Sequence, residues 1–513
     1  METQSPALTR LPAMLFQEAS EAWKRQDYQK TIELLKRAVQ QQPTNSKLLL
    51  NLGEAYGLRF AYQEAERWLE QAVSAASNKA KILAEAGRRC QRFNQPAKAN
   101  RYFKRAAEHA DVSAWVLVAM AEFEAGHSRV QSALPLLEKA LELEPGLPDA
   151  LLVRARLHRI SGQLDEGEKL LRALLLRSSF ETSVKAWYEL GTNLDRQGRY
   201  DQTMEAFLQA KALVYPVSEE FEPRLEKIHA DIRKMEETVS DKMLALWHAA
   251  GADLRPAKRF ALLCGHPRSG TTLLEQVLDA HPNVIATDET SILLGEAYPA
   301  LRRGFPESTS VVEVLETVSV GALQQARDEY FRFTELFTGE PIGDRLLVDK
   351  NPALDVHIPT VVRIFPEAKF LVAIRDPRDV CLSCFMLPLP PGQLSALYLS
   401  LEGTAAQYAL IMGVSRAIRS RLPSPQMEVR YEDVVADLEG NSRRVLRFLG
   451  VEWDQSVLRF DDHAKTKLLR CAIDEAVAKP IFTSSIGRWR HYQKYLDPCL
   501  KQLKPFIKAF GYE

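Results

Sequence analysis

The run FALLCGHPRSGTTLLEQVLDA, residues 260–280, decides how the C-terminal half is read. Phe260 to Cys264 is short and wholly apolar, the pattern of a strand covered on both faces of a parallel sheet. Gly265 to Thr272 follows without a spacer, and Leu273 to Ala280 then has helical periodicity. A strand, a glycine-rich loop and a helix N-terminus in that order form an anion site. Exposed backbone N–H groups and the positive helix end point at the same spot. Gly265 and Gly270 have the spacing of a nucleotide-phosphate loop, but Thr271 stands where the lysine of a nucleoside triphosphatase would be. That departure argues against an ATPase, a GTPase or a loop-type kinase.

Further along, Lys369 to Ile374 reads as a second buried strand, ending in Arg375-Asp-Pro-Arg-Asp-Val-Cys-Leu-Ser383. Arg375 offers a fork of donors suited to phosphate, and Ser383 a hydroxyl from the helix that follows. Asp376 and Arg378 are expected to pair locally and hold the loop. Two phosphate sites on neighbouring parallel strands fit a nucleotide phosphorylated at both 5′ and 3′ positions.

These two stretches resemble the 5′-phosphosulfate loop and the 3′-phosphate segment of the sulfotransferase superfamily. Within it, the chain is most similar to the protein-tyrosine sulfotransferase branch. The resemblance implies that 3′-phosphoadenosine 5′-phosphosulfate (PAPS) is the donor and that no metal is needed. Transfer of a sulfuryl group carries less negative charge than phosphoryl transfer and can proceed with side-chain cations and backbone amides. Arg268, Ser269, Gly270, Thr271 and Thr272 would hold the 5′-phosphosulfate, and Arg375 and Ser383 the 3′-phosphate.

The resemblance also implies catalytic groups. Asp288-Glu289-Thr290 matches the segment in which the branch carries its base, which maps onto Glu289; a carboxylate there suits removal of a proton from an acceptor hydroxyl. Asp288 is the nearest rival, and His266 and His281 lie close in sequence, His281 in a turn before Pro282. Lys350, in the strand-like run Leu346 to Pro352, would stabilise charge on the leaving phosphate, with Arg268 flanking the sulfuryl oxygens. Val429 to Asp433 looks like the strand and turn before the last helices. Thr483 to Tyr492 resembles the closing segment over the nucleotide, placing Ser484, Arg488 and Trp489 at the 3′-phosphate or the adenine. Trp489 is equally readable as a core anchor.

Upstream the texture is periodic. Ala19, Gly53, Gly87, Ala121 and Ala155 recur every 34 residues, and Gly191 follows 36 later. A second small residue comes at Ala65, Ala99, Ala133 and Gly167. A large apolar one then follows at Leu35, Leu69, Phe103, Leu137, Leu171 and Phe207. Pro43 and Pro145 close two units, since proline cannot continue a helix. Small residues let paired helices approach and the large one fills the groove between them. One such hairpin cannot bury its apolar face alone, so neighbours stack. The pattern resembles the tetratricopeptide repeat, which implies protein or peptide binding.

The reading is therefore a multidomain chain: an all-α tetratricopeptide solenoid of about six repeats over 12–215, capping or linker helices over 216–257, and an α/β, P-loop-like sulfotransferase domain with a parallel sheet over 258–513. The expected function is sulfuryl transfer to an acceptor hydroxyl, on a protein tyrosine or alternatively on a carbohydrate or small molecule. A catalytically inactive repeat scaffold is the further alternative.

Composition sets outer limits. Lysine plus arginine equals aspartate plus glutamate, 67 each, so no global field draws in nucleic acid. Six cysteines across 513 residues are too sparse for a disulfide scaffold. Cys381 and Cys384 form a CxxC without a second pair, which reads as two cysteines on one helical turn. No signal pattern opens the chain and no apolar run suits a membrane span. A cytoplasmic protein is the expectation.

Overall fold

The computed structural model describes residues 6–24, 27–254, 258–466 and 483–512; Cys471 lies outside them. The chain divides into two compact units at Gln163/Leu164. This division falls inside the repeat pattern, ahead of the change of texture at 215.

The first unit is helical. Its hairpins are α1 (Pro6–Lys24) with α2 (Tyr28–Gln41), α3 (Ser46–Leu58) with α4 (Tyr62–Ala75), α5 (Lys79–Arg92) with α6 (Pro96–Ala107), and α7 (Ala114–Gly126) with α8 (Val130–Leu143). The helix α9 (Pro148–Ile160) follows. The small and large positions of the repeat meet as expected. A Cβ added at Gly53 would stand 2.9 Å from Leu69, and one at Gly87 3.0 Å from Phe103. Each large side chain fills the space that its glycine leaves, and both Leu69 and Phe103 are buried. Ion pairs tie successive repeats, such as Arg88 to Glu122 at 2.6 Å and Arg92 to the buried Glu54 at 2.8 Å.

The second unit begins with α10 (Leu164–Leu175), α11 (Phe180–Arg196) and α12 (Tyr200–Ser218). Gly191 faces Phe207 in the same way, at 3.0 Å. The charged stretch after them forms two helices, α13 (Glu222–Thr238) and α14 (Asp241–Ala249), and Ser240 caps the second by accepting from Met243 N at 3.2 Å.

A five-stranded parallel sheet follows: β1 (Phe260–Cys264), β2 (Val284–Thr287), β3 (Leu346–Lys350), β4 (Lys369–Ile374) and β5 (Gln426–Arg430), ordered β2-β3-β1-β4-β5. The central strands β1 and β3 are buried along their whole length, which explains the unbroken apolar run of β1 and of Leu346 to Val348 in β3. The edge strand β2, four residues long and also buried, was not expected from the sequence. In register, Leu263 of β1 lies beside Lys350 of β3 and Leu371 of β4, and Thr287 of β2 beside Asp349. All carboxyl ends therefore fall on one edge, where ligands of open α/β sheets sit.

Gly265, at the end of β1, has φ +122°, and a Cβ there would stand 2.3 Å from the carbonyl oxygen of Ala373 on β4. Backbone cannot yield as a side-chain tip can. Gly265→Ala is expected to cost about 3 kcal/mol or more, read as a lower urea midpoint with the slope unchanged.

Candidate active site

The loop after β1 ends on Gly270, which caps α15 (Thr271–Asp279) with φ +92°. A Cβ on Gly270 would meet the Tyr431 ring at 2.6 Å, so the chain needs glycine here for both conformation and room. Ser269, Thr271 and Thr272 are buried in the loop and first turn. Arg268 has a φ of +73°, unusual for a side-chain-bearing residue, and its Nε donates to Ser383 Oγ at 2.8 Å. The 5′ loop and the 3′ segment expected from the sequence thus meet directly.

Arg375 leaves the end of β4. Its Nη1 donates to the Arg268 carbonyl at 3.1 Å and its Nη2 to the Ser485 carbonyl, while the Tyr431 ring lies 5.1 Å from its guanidinium carbon. Its Nε is buried with no hydrogen-bond partner. Such a donor is costly unless a ligand completes it. Arg378 and Asp376 pair locally as expected, at 2.9 and 2.7 Å, within the loop and the helix Pro377–Phe385.

β3 lies between β2 and β1, and this puts Lys350 against the end of β2. Its Nζ, fully buried, is 2.7 Å from Asp288 Oδ1 and 3.0 Å from Glu289 Oε1. Burial pulls the ammonium pKa down, but Asp288, Glu289 and the buried Glu275 on α15 outweigh it, so the pKa lies above the ordinary lysine value. Asp288 Oδ1 also accepts from Glu289 N at 2.8 Å. The Glu289 carboxylate is much the more open, 46% exposed against 13% for Asp288.

Neither histidine reaches this point as a base. His266 is buried, its Nδ1 against the Pro267 carbonyl at 2.9 Å, and burial pushes its pKa down to about 4. His281 sits in its turn, Nδ1 accepting from Asn283 N and Nε2 against the Glu452 carbonyl.

The closing segment is placed differently in detail. Ser484 is exposed, and it is the neighbouring Ser485 carbonyl that touches Arg375. Arg488 turns to α11, where its Nη2 pairs with Asp195 at 2.9 Å. Trp489 is buried beneath Arg378, 3.8 Å from ring centroid to guanidinium carbon, as a core anchor would be. Asp379, whose role no sequence pattern suggested, accepts from Gly487 N at 2.7 Å and Trp489 N at 2.8 Å. Tyr431 was legible only as part of a strand-turn run, because its packing on Gly270 and Arg375 depends on the sheet order. Cys381 and Cys384 are free, buried thiols on one turn, and burial pushes Cys384 up to about 12.

An anion cradle, two convergent arginines and a lysine–carboxylate cluster lie at the carboxyl edge of a parallel sheet. Residues 261–455 match the sequence model of the sulfotransferase family, and residues 22–88 and 124–179 match that of the tetratricopeptide repeat. The chain thus carries a sulfotransferase-family domain and tetratricopeptide repeats.

Protein-tyrosine sulfotransferase 2 of Gallus gallus is 27% identical over 270 residues, 48% of this chain and 68% of that protein. An uncharacterized protein of Aquifex aeolicus is 26% identical over 397 residues, covering 74% of this chain. The nodulation protein NoeE of Sinorhizobium fredii is 26% identical over 260 residues, 46% of this chain and 61% of that one. The chain spans half the length of the Aquifex protein. Among solved structures, the sulfotransferase domain of the Synechococcus PCC 7002 olefin synthase superposes with a TM-score of 0.35 at 20% identity, over 50% of this chain and 97% of that domain. That likeness is too distant to bear on the chemistry. Among the described residues, no helix is long and apolar enough to cross a membrane.

Proposed function

We propose that the protein is a sulfotransferase that moves a sulfuryl group from PAPS to an acceptor hydroxyl. The observation that carries this reading is the buried, unpartnered Nε of Arg375 beside the Arg268–Ser383 contact. A phosphate would complete that Arg375 donor, and Tyr431, whose ring packs on Gly270, also faces the Arg375 guanidinium. The residues present fit the nucleotide: Ser269 to Thr272 and the N-terminus of α15 for the 5′ end, Arg375 and Ser383 for the 3′-phosphate.

PAPS supplies the sulfuryl group when bound. Glu289, the more open carboxylate, takes the proton from the acceptor hydroxyl. Lys350 holds that carboxylate in place and presents a cation where charge develops on the leaving phosphate. Arg268 flanks the sulfuryl oxygens. The acceptor class follows the relatives named for protein-tyrosine sulfotransfer: a tyrosine hydroxyl on a polypeptide, with the repeats binding the substrate protein or a partner.

Calorimetric titration with adenosine 3′,5′-bisphosphate and with ATP-Mg²⁺ tests the reading. The bisphosphate is expected to bind and ATP-Mg²⁺ not to match it. Arg375→Ala should weaken the bisphosphate by ~10–150-fold, the worth of one charge-assisted hydrogen bond. Binding of ATP-Mg²⁺ alone would overturn it in favour of a kinase, and binding of neither in favour of an inactive repeat scaffold.

A further inference from the structure

Lys211 lies on α12, the last repeat helix, and is 3% exposed. Its Nζ is buried with no hydrogen-bond partner. Two rings hold it: Tyr188 on α11, centroid 5.5 Å away, and Phe385 on the helix Pro377–Phe385, 5.2 Å away. The Tyr188 hydroxyl is itself buried without a partner. Phe385 follows Ser383 by two residues on the same helix, so Lys211 packs beside the helix whose Ser383 accepts from Arg268 at 2.8 Å.

A buried ammonium without an anion is destabilising, and aromatic faces recover only part of the loss. Methionine would fill the same space at no such cost. Arg268 is engaged with Ser383, and Arg375 with two carbonyls through its Nη atoms, its Nε staying unpartnered like the Lys211 ammonium. A cation kept here without a partner has the character of half of an interaction, the other half being an oxyanion. Lysine carries its ammonium on a flexible four-carbon stem.

We propose that Lys211 is an anchor for the 3′-phosphate of the nucleotide, so that the last repeat helix supplies a residue to the donor site. This rests on the sulfotransferase reading above. A consequence is that α12 cannot be separated from the catalytic unit without weakening donor binding.

Burial pushes the Lys211 ammonium down to about 7 from its ordinary value of 10.5. The folded pKa lies below the unfolded one, so the cost to stability is full below pH 7 and lessens as pH rises toward 10.5. The titratable groups that face it, Cys384 and Tyr188, are both pushed up to about 12 by burial and stay uncharged across most of that window.

The test compares wild type, Lys211→Met and Arg375→Ala by calorimetry with adenosine 3′,5′-bisphosphate and with 5′-AMP, alongside melting temperatures from pH 7 to 10. Lys211→Met is expected to bind the bisphosphate about tenfold more weakly or worse, to bind 5′-AMP as wild type does, and to melt higher. That gain in melting temperature should be largest at pH 7 and shrink toward pH 10. If Lys211→Met binds the bisphosphate like wild type while Arg375→Ala does not, the anchor is overturned and the sulfotransferase reading stands. Weaker binding together with a lower melting temperature would also overturn it, since damaged packing would be the cause. If wild type does not bind the bisphosphate at all, both readings fall.

Discussion

Glu289→Gln is expected to lower the rate of sulfuryl transfer from labelled PAPS by ~10²–10⁴-fold, the usual contribution of a positioned general base. Binding of adenosine 3′,5′-bisphosphate should stay close to wild type. The amide keeps the size of the carboxylate and can still contact Lys350, so the effect isolates loss of the proton acceptor. Asp288→Asn serves as the contrast. Asp288 is largely buried and its Oδ1 already serves Lys350 and Glu289 N, so that substitution should perturb the loop more than the chemistry. If Asp288→Asn lost turnover and Glu289→Gln did not, the base would have to be reassigned.

Lys350→Met is expected to act on two quantities at once. Turnover should fall by ~10²–10³-fold, as when a preorganised donor to developing charge is removed. Stability should also fall, by about 3 kcal/mol, because Asp288 and Glu289 are left facing each other at the end of β2 without the cation between them. Half-exposure of Glu289 keeps the loss at the low end for a broken buried pair. Urea denaturation and initial rates on the same preparation separate the two effects. A double variant with Glu289→Gln should recover part of the stability and none of the turnover. Unchanged turnover in Lys350→Met would remove this lysine from the chemistry.

The anion loop was legible because its signal is local. A wholly apolar strand, glycines five apart and a helix start are consecutive in sequence, and each follows from backbone sterics and the helix dipole. The repeats were legible for a similar reason. A period of 34 carried by small and large side chains is a packing rule written along the chain, and Gly53 against Leu69 and Gly191 against Phe207 show that rule in space. Arg268, Glu289, Lys350, Arg375 and Ser383 were picked out by the resemblance of their segments to the sulfotransferase superfamily, each of a residue type that suits the role implied.

Which of them meet was decided by tertiary structure. Lys350 and Glu289 are 61 residues apart, and they touch because β3 inserts between β1 and β2, a topological choice that no local pattern encodes. Tyr431 closes on Gly270 for the same reason, through the place of β5 at the sheet edge. Arg488 looks in sequence like a phosphate ligand, yet a carboxylate on α11, 293 residues earlier by number, offers a nearer partner. Lys211 carries no sign of its burial at all. In the repeat pattern it is one more polar position on an amphipathic helix, and it becomes an orphaned cation because α12 packs its flank against Phe385. Local sterics and periodicity are properties of neighbouring residues and so are fixed by the sequence directly. Burial and ion pairing between distant segments depend on which strands lie side by side, and only the folded chain sets that.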